Sequence, residues 1–460
     1  MKGGVRRLAL DILVDVADGA DGDERLEQGL ALAAPRDGAL LAELVRGSLQ
    51  WQARYDHVIA SFSRKRPPGD PVLTALLRLS LHQLLALDGV PPYAAIHEAG
   101  ELARARAGRG KVGFVNGLLQ AARRRLRPDG ADAAAREAAL RELFAPLEPD
   151  RPRWLATWHS LPQWLVTRWR DRWGDAVAER LCAATNTPPP VHLHVLGGDD
   201  PAAVAAAVVA AGGRAAVGPG DTAVTLDGRP GRSAVREILA SRPGLVVQDA
   251  TVQEASAWLT AGDLVGPWLD LCAAPGGKAA HLAHVLPTTA PLVVMDRRPA
   301  RMALLRDTLD RAAPGRTLAV QADGLHPPFA PAVFGGILLD GPCSGTGVLR
   351  HHPDGRWRLR PSTPARKART LLALADRAAE LLRPGGRLLY ATCSLEAEEN
   401  EDVLGALRER RPELVPDPAA DGAWMRTWLP GDAGTPPGGD GFFAARLRRR
   451  TDTEGTENEA

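Results

Sequence analysis

The feature that most constrains the fold is an alternation of apolar strands and amphipathic helices in the second half of the chain. From about residue 264 onward, short apolar runs are separated by segments in which apolar residues recur at helical spacing. The strand candidates are 264–272, 291–296, 317–321, 336–340 and 387–392, and the helical segments are 277–286, 299–313, 365–383 and 396–409. This alternation predicts an α/β fold with a parallel, doubly wound, Rossmann-like sheet, whose ligand sites lie at the carboxyl ends of the strands.

The first third of the chain has a different pattern, with helical spacing throughout and almost no strand signal. Apolar residues recur at this spacing over 5–16, 72–87, 93–107 and 111–126, and Pro/Gly breakers separate these segments. We therefore expect an all-helical domain over 1–130, a helical connector over 131–185, a small α/β segment over 186–245, the catalytic domain over 246–448 and a disordered acidic tail over 449–460. The tryptophans of the connector lie between arginines, and we expect several of them to be buried against a neighbouring domain rather than stacked on bases.

Composition excludes several classes of protein. The 460 residues carry a formal net charge of +2, so any basic surface must be local. Four cysteines without a CxxC spacing exclude a disulfide scaffold and the common zinc motifs, and we expect no metal. No segment approaches the ~20 apolar residues of a membrane span, and the N-terminus lacks a secretory signal pattern. We expect a cytoplasmic protein.

One local basic run lies at the end of the helical region. Residues 102–128 hold many arginines and no acidic residue, a pattern that suits a phosphate backbone. A solvated helix face is the alternative, because most charge runs are of that kind. The candidate RNA-binding residues are Arg104, Arg106, Arg109, Lys111, Arg123, Arg124 and Arg125, together with Arg350, His352 and the nearby His351 and Arg356 of a later loop.

A glycine-containing turn follows the first strand of the α/β region. The strand ending at Cys272 runs into Ala273, Ala274, Pro275, Gly276, Gly277 and Lys278, and a helix follows. Gly276 and Gly277 allow close approach of the backbone to a ligand, and the helix N-terminus favours an anionic group. By itself this is equally a tight strand-to-helix turn. Asp296 and Asp323 end the next two strands, however, where carboxylates can hold a ribose and an adenine edge. Together these features predict a nucleoside cofactor.

Two cysteines lie just beyond the last two predicted strands. Cys343 follows Asp340 in a Gly-Pro turn, and Cys393 lies between Thr392 and Ser394. Turns at this edge of the sheet give a thiol the partial exposure that reactivity needs. Cys182 and Cys272 lack this setting, and we expect both to be structural.

Three motifs resemble those of S-adenosylmethionine-dependent RNA cytosine-C5 methyltransferases. They are DLCAAPGGK, DGPCSGTGVLRHHPD and YATCSLEAEEN, and the two-cysteine arrangement is specific to that family. The helical N-terminus, with FVNGLLQ at Phe114–Gln120, resembles the NusB-like RNA-binding domain of bacterial members that act on small-subunit ribosomal RNA. The resemblance spans residues 1–447 and implies a class I methyltransferase domain preceded by an all-helical NusB-like domain.

The resemblance also implies roles for individual residues. Cys272 through Lys278 would wrap the methionine part of S-adenosylmethionine, Asp296 would hold the ribose and Asp323 the adenine. Asp340 would face the target base and also contribute to the cofactor site, Cys393 would be the nucleophile and Cys343 would assist product release. The implied partner is RNA, specifically 16S rRNA, and a monomer would suffice for such a site.

Three alternatives remain open at this level. Methylation of an exocyclic amine is disfavoured, because the turn at Asp340 has Cys343 where such enzymes carry an aromatic residue. The same C5 chemistry could act on transfer RNA. A non-catalytic RNA-binding or ribosome-assembly protein on a methyltransferase scaffold is disfavoured by the presence of both cysteines and Asp340.

Overall fold

The computed structural model describes residues 4–63, 67–218, 220, 222–226 and 232–451. The chain divides into two compact units. The first unit comprises Met1–Thr187 with Leu349–Arg360, and the second comprises Pro188–Val348 with Pro361–Ala460.

The first unit is helical, as the apolar periodicity predicts. Several of its helices begin at an aspartate whose side chain accepts a hydrogen bond from the first backbone N–H groups, as Asp21 and Asp70 do. The helices are α1 (Val5–Ala17), α2 (Gly22–Leu32), α3 (Gly38–Gln50), α4 (Gln52–Phe62), α5 (Pro71–Ala86), α6 (Pro92–Arg106), α7 (Val112–Leu126), α8 (Ala133–Phe144), α9 (Arg151–Trp158) and α10 (Gln163–Ala184, kinked at Gly174).

Helix α5 is the centre of the first unit. It packs against α1, α3, α4, α6 and α7 and is buried around most of its circumference. This burial explains why leucines occur on nearly all sides of the helix rather than on one face. The expected burial of connector tryptophans is confirmed for Trp154, Trp158 and Trp169, which are 5%, 3% and 1% exposed. Arg54 lies 4.1 Å from the ring centres of both Trp51 and Trp158. These tryptophans therefore belong to the core of the first unit.

The second unit begins with a small antiparallel sheet in the strand order β2-β3-β1-β4. Leu193 and Val195 on one face of β1 form a core with Val204 and Val208 of the following helix. The elements are β1 (Val191–Val195), α11 (Pro201–Ala210), β2 (Ala215–Val217), β3 (Ala223–Leu226), α12 (Arg232–Ser241) and β4 (Leu245–Val247).

The rest of the second unit is built on a large mixed sheet with the order β10-β12-β9-β8-β5-β6-β7, and β11 pairs with β12. Its strands are β5 (Trp268–Asp270), β6 (Leu292–Asp296), β7 (Thr317–Gln321), β8 (Phe334–Asp340), β9 (Leu382–Thr392), β10 (Leu414–Pro416), β11 (Met425–Trp428) and β12 (Phe442–Arg449). Its helices are α13 (Ala250–Thr260), α14 (Gly277–Val285), α15 (Pro299–Ala312), α17 (Thr363–Leu381) and α18 (Glu401–Arg410), and α16 (Gly355–Arg358) belongs to the first unit.

The predicted doubly wound sheet is confirmed for the five strands β9, β8, β5, β6 and β7, which are parallel. Side chains of these strands alternate between two cores, for example Leu292 and Val294 on one face and Val293 and Met295 on the other. The antiparallel strands β10, β11 and β12 extend the sheet beyond the predicted pattern. Strand β12 reaches Arg449, the first residue of the predicted tail, and 452–460 lie outside the described residues.

A short segment of the chain, Leu349–Arg360, leaves the second unit and forms part of the first. We call this segment the strap. Its Arg356 side chain is fully buried and donates hydrogen bonds to Ser160 O at 3.1 Å, Thr185 O at 2.9 Å and Asn186 Oδ1 at 2.9 Å. The expectation that Arg356 contacts RNA is therefore wrong, because its guanidinium is enclosed by backbone and amide oxygens. Among the described residues, no helix is long and apolar enough to cross a membrane.

Candidate active site

The carboxyl ends of β5, β6, β8 and β9 meet at one edge of the large sheet, as parallel strands require. A cavity of about 470 Å³ opens at this edge. Its lining includes both candidate reactive thiols, Cys343 and Cys393, and three of the predicted carboxylates, Asp296, Asp323 and Asp340. The structure therefore brings the cofactor candidates and the cysteine candidates to one cavity.

The cofactor loop is shaped by its backbone. Gly276 has φ +114°, and a Cβ at this position would lie 3.1 Å from side-chain carbons of Leu305 and Thr308, so both the conformation and the space favour glycine. The loop is anchored by Leu271 N, which donates to Leu338 O at 2.9 Å, and by Ala273 N, which donates to Met295 O at 2.8 Å. Helix α14 begins at Gly277, within the last residues of the loop, so its first N–H groups face the same edge.

The two carboxylates of the neighbouring strands are held by their local backbone. Asp296 is 6% exposed and accepts a hydrogen bond from Arg298 N at 3.0 Å, and Arg301 lies 3.6 Å from its other oxygen. Asp323 accepts a hydrogen bond from Leu325 N at 3.0 Å. Fixed carboxylates at successive strand ends are suited to accept hydrogen bonds from hydroxyl and amino groups of a ligand.

A half-buried ion pair lies beside the thiols. Lys278 Nζ donates to Asp340 Oδ2 at 2.7 Å and lies 5.1 Å from the centre of the Phe442 ring. Burial opposes the charge of Lys278, but the Asp340 carboxylate outweighs it and raises the pKa of the amine. The sequence assigns Lys278 only to the methionine end of the cofactor, and its pairing with Asp340 emerges from the structure.

Asp270, at the end of β5, was missed as a functional candidate although it opens the quoted DLCAAPGGK motif. Its side chain is 1% exposed, and neither carboxylate oxygen has a hydrogen-bond partner among the described residues. Burial and the negative charge of Asp340 raise the pKa of Asp270 to about 8. A carboxyl group that is easily protonated therefore lies directly beneath the cofactor loop.

The two candidate reactive thiols are in contact. The Sγ atoms of Cys343 and Cys393 are 3.2 Å apart, and Gly347 N of the first turn donates to Cys393 O at 2.9 Å. Contact with Cys343, burial and the charge of Asp340 raise the pKa of Cys393, whereas Lys278 lowers it. The Cys393 thiol is consequently protonated at neutral pH, and its reaction requires an acceptor for that proton.

The other two cysteines have different surroundings. Cys272 is half-buried at the end of the β5 segment, where burial and the charge of Asp270 raise its pKa. Cys182 is buried in the first unit, and desolvation raises its pKa to about 12. Neither thiol ionises at neutral pH.

Within the described part of the chain, five of the eight cations of the basic run pair with acidic residues, and all of these partners except Glu101, which precedes Arg104 by one helical turn, lie beyond the end of the helix or on other segments. Among the described residues, Arg109, Lys111 and Arg124 are exposed and have no ion pair within the first unit. His352 lies 2.7 Å from Asp23, and Arg350 is half-buried. The ion pairs of the run are Arg104 with Glu101, Arg106 with Asp11, Arg123 with Asp129, Arg125 with Glu142 and Arg127 with Asp88. Contact of these residues with RNA stays a prediction.

Comparison with known proteins accounts for nearly the whole chain. Residues 260–448 match the family model of the 16S rRNA methyltransferase RsmB/F, residues 4–124 match the NusB family, and residues 161–228 match the ferredoxin-like domain of RsmF/B-like methyltransferases. The probable ribosomal RNA small subunit methyltransferase B of Bacillus subtilis is 31% identical over 471 residues, covering 98% of this chain and 99% of that protein. The chain belongs to the RsmB/F methyltransferase family. The ribosomal RNA small subunit methyltransferase B of Klebsiella pneumoniae is also similar, at 31% identity over 93% of this chain and 96% of its own.

Solved structures show the same fold. The crystal structure of PH0851 has a TM-score of 0.72 at 22% identity and covers 97% of this chain and 98% of its own. The structure of NSun6 from Pyrococcus horikoshii with SFG has a TM-score of 0.52 at 16% identity and covers 63% of this chain and 99% of its own. The expectation of a Rossmann-like, class I methyltransferase domain preceded by an all-helical NusB-like domain is confirmed.

Proposed function

We propose that this protein transfers a methyl group from S-adenosylmethionine to C5 of a cytosine in RNA, with 16S rRNA as the substrate. The observation that carries the proposal is the pair of thiols, Cys343 and Cys393, whose sulfurs lie 3.2 Å apart in the cavity that also holds the cofactor-loop residues. Methylation of an exocyclic amine needs no nucleophilic thiol, because the amine nitrogen has its own lone pair. Methylation of the C5 carbon does need one.

The described residues fit S-adenosylmethionine. The cavity volume of about 470 Å³ lies in the usual range for pockets that bind small molecules and cofactors, roughly 300–1,000 Å³. Asp296 would hold the ribose, Asp323 the adenine, and the loop from Cys272 to Lys278 the methionine part, where close approach of backbone is possible at Gly276. The cofactor supplies an electrophilic methyl group carried on a positively charged sulfur.

Attack by Cys393 activates the base. The C5 carbon of cytosine is a poor nucleophile, and bond formation between Cys393 Sγ and C6 makes C5 enamine-like. Asp340 accepts the proton that the Cys393 thiol releases and donates it to N3, where electron density accumulates. Lys278, 2.7 Å from Asp340, keeps a positive charge beside this transfer.

Elimination requires a second group. Once C5 carries the new methyl, its original hydrogen must leave as a proton before the C6–S bond breaks. Cys343, whose sulfur lies 3.2 Å from that of Cys393, accepts this proton as a thiolate or through a water that it positions. The electron pair restores the C5–C6 double bond, Cys393 leaves as a thiolate, and the N3 proton returns to Asp340.

The substrate must present an unpaired cytosine. A base within a helix cannot expose C6 to a thiol, and flipping costs least for a base that is already unstacked. The exposed cations of the helical unit, Arg109, Lys111 and Arg124, suit sequence-tolerant contacts with phosphates. The relatives from Bacillus subtilis and Klebsiella pneumoniae are named as small subunit ribosomal RNA methyltransferases, which supports 16S rRNA over transfer RNA.

The test uses methyl-labelled S-adenosylmethionine with protein-free 16S rRNA and, separately, bulk transfer RNA. Product nucleosides are identified by mass spectrometry, and covalent protein–RNA species by denaturing gel. We expect 5-methylcytidine in 16S rRNA, no product with Cys393→Ala, and a covalent adduct that accumulates with Cys343→Ala. Cys182→Ala, a buried cysteine of the other unit, is the matched control and keeps activity.

Each contrary result has a definite meaning. Label at a position other than C5, or an adduct that persists in Cys393→Ala, refutes the chemistry. Label in transfer RNA alone refutes the choice of substrate. Intact cofactor binding with no methylation of either RNA favours the non-catalytic scaffold or a substrate that exists only in an assembling subunit.

A further inference from the structure

One buried carboxylate joins the two cysteine turns and has no part in the mechanism above. Glu399 lies at the end of a short 3₁₀ turn, Ala397–Glu399, directly before α18. Its Oε1 accepts a hydrogen bond from Ser344 N at 2.6 Å. Its Oε2 accepts hydrogen bonds from the hydroxyls of both Ser344 and Ser394. Ser344 follows Cys343, and Ser394 follows Cys393, so one side chain holds the residues next to both sulfurs.

The surroundings of Glu399 make these contacts strong. The residue is fully buried, and burial raises the pKa of its carboxyl group, although the hydrogen bonds from the two serines oppose that shift. Hydrogen bonds to a carboxylate are shorter and stronger than neutral ones, and a low local dielectric strengthens them further. Loss of such an acceptor leaves buried donors unsatisfied. The two turns therefore share one buried carboxylate as their common anchor.

Other hydrogen bonds, from both backbone and side-chain groups, stabilise the same turns. Leu395 N donates to Thr346 Oγ1 at 2.9 Å, and Gly347 N donates to Cys393 O at 2.9 Å. Asn400, next to Glu399, donates through Nδ2 to Ser394 O at 2.9 Å. These bonds hold the general path of each turn. Glu399 acts closer to the thiols, because it orients the two residues that directly follow them.

We infer that Glu399 is a positioning residue that keeps Cys343 beside Cys393, so that elimination follows attack on the same base; this inference rests on the proposed function. Attack depends mainly on Cys393, which is carried by the end of strand β9. Elimination depends on where Cys343 lies relative to the base that Cys393 has attacked. A misplacement of about 1 Å in such an arrangement lowers a rate on the order of 10²-fold. Weakening the hydrogen bonds of Glu399 to Ser344 and Ser394 should therefore slow elimination more than attack.

The test variant is Glu399→Gln in the full-length protein. Glutamine keeps the shape but removes the negative charge. Its NH₂ group can only donate, so the two serine hydroxyls that donate to Glu399 must reverse and accept from it, and the charge-assisted bonds that orient both turns are lost. The matched control is Asp402→Asn, which removes a carboxylate from an exposed position on α18. Ser344→Ala is the second variant, which removes one donor and keeps the buried carboxylate, should Glu399→Gln fail to fold.

The readouts are the single-turnover rate of 5-methylcytidine formation, the fraction of protein in covalent adduct with RNA, and the dissociation constant of S-adenosylmethionine. We expect Glu399→Gln to lower product formation by about 10- to 100-fold, to raise the adduct fraction, and to leave cofactor affinity within about twofold. Asp402→Asn should match the wild type in all three. A double variant Ser344→Ala/Glu399→Gln should lose little beyond the more impaired single variant, because both act through one contact.

Two outcomes would overturn the inference. One is wild-type rate and adduct fraction in Glu399→Gln. The other is an equal loss of adduct and product, which would mean that Glu399 supports attack or folding rather than the relation between the thiols. Failure of the proposed function itself is recognised separately, because the wild-type protein would then form neither 5-methylcytidine nor adduct.

Discussion

Replacement of Arg356 by methionine should destabilise the first unit. The Arg356 guanidinium is buried in the strap and donates hydrogen bonds of 2.9–3.1 Å to Ser160 O, Thr185 O and Asn186 Oδ1. Among the described residues, no carboxylate pairs with it within 4 Å. Methionine fills a similar volume but leaves these three buried oxygens without their donor.

The magnitude follows from two opposing terms. A buried polar group without a partner costs about 1–3 kcal/mol, so three acceptors cost roughly 3–9 kcal/mol. Burial lowers the pKa of Arg356 from 12.5 to about 10, so holding the cation costs the folded protein roughly 3 kcal/mol, which methionine does not incur. The difference predicts a net loss of about 3 kcal/mol in the free energy of unfolding. The matched control is Arg358→Met in the same strap. Its half-exposed side chain pairs with Asp21 at 2.7 Å and with Asp354 at 3.2 Å, and the two pairs together are worth at most about 2 kcal/mol.

Urea unfolding followed by tryptophan fluorescence measures this difference, because Trp154 and Trp158 are buried in the first unit. With a slope of about 2 kcal/mol/M, a loss of 3 kcal/mol lowers the midpoint by about 1.5 M. Cofactor affinity, a property of the second unit, is measured beside it to separate the two units. Equal midpoints for Arg356→Met and Arg358→Met would refute the reasoning, since they would mean that the buried cation costs as much as its hydrogen bonds contribute.

Three further predictions concern charge. Burial lowers the pKa of His194 to about 4 and that of His281 to about 3, so the unfolded chain binds these protons first as the pH falls below about 6.5. Stability should fall by up to about 1.4 kcal/mol per pH unit for each histidine between pH 6.5 and 4, and His281→Asn should reduce the fall; an unchanged pH dependence contradicts this. Asp270 makes stability depend on pH in the opposite direction, because its pKa is about 8 in the folded protein and 3.8 in the unfolded chain. Its ionisation therefore lowers the free energy of unfolding as the pH rises from about 4 to 8. Asp270→Asn should therefore stabilise the protein by a few kcal/mol more at pH 8.5 than at pH 5, and an equal gain at both contradicts it. In RNA titrations, Arg124→Gln should reduce the salt dependence of binding by about one counterion, and Arg123→Gln, whose side chain is paired with Asp129, by less; equal effects refute the distinction.

The fold could be predicted where a local pattern reports on burial. The central parallel strands are covered on both faces, so they read as apolar runs, and all five were found. The bounds are less regular, because only Trp268–Asp270 of the predicted 264–272 segment pairs with both neighbours. Strand β12 was missed because its second half carries arginines, and the buried Arg446 is accommodated by Asp417 at 3.0 Å. That pairing depends on two segments meeting in space, which the local sequence does not encode.

The same distinction holds in the candidate site. Residues at strand ends could be grouped from sequence, because the carboxyl ends of parallel strands share one edge. Partners contributed by other segments could not. The ion pair of Lys278 with Asp340 joins two different motifs, and the partners of Arg106 and Arg125 come from α1 and α8. The sequence of the strap likewise does not indicate that Arg356, rather than a neighbouring arginine, is the buried one.

Strand register explains why the two thiols meet. Strands β8 and β9 pair with Asp340 opposite Ala391, so Cys343 and Cys393 both follow closely after one rung of the sheet. The turn after Cys343 is then confined from the other side, because a Cβ at Gly347 would lie 2.3 Å from the carbonyl oxygen of Gly441, just before β12. Register, backbone contact and the Glu399 carboxylate thus fix the same pair of turns from three directions. Since all three belong to the folded chain, the 3.2 Å approach of the sulfurs exists before any substrate is present. RNA binding therefore has only to place the target base beside sulfurs whose positions the fold has already set, as expected for a preorganised site.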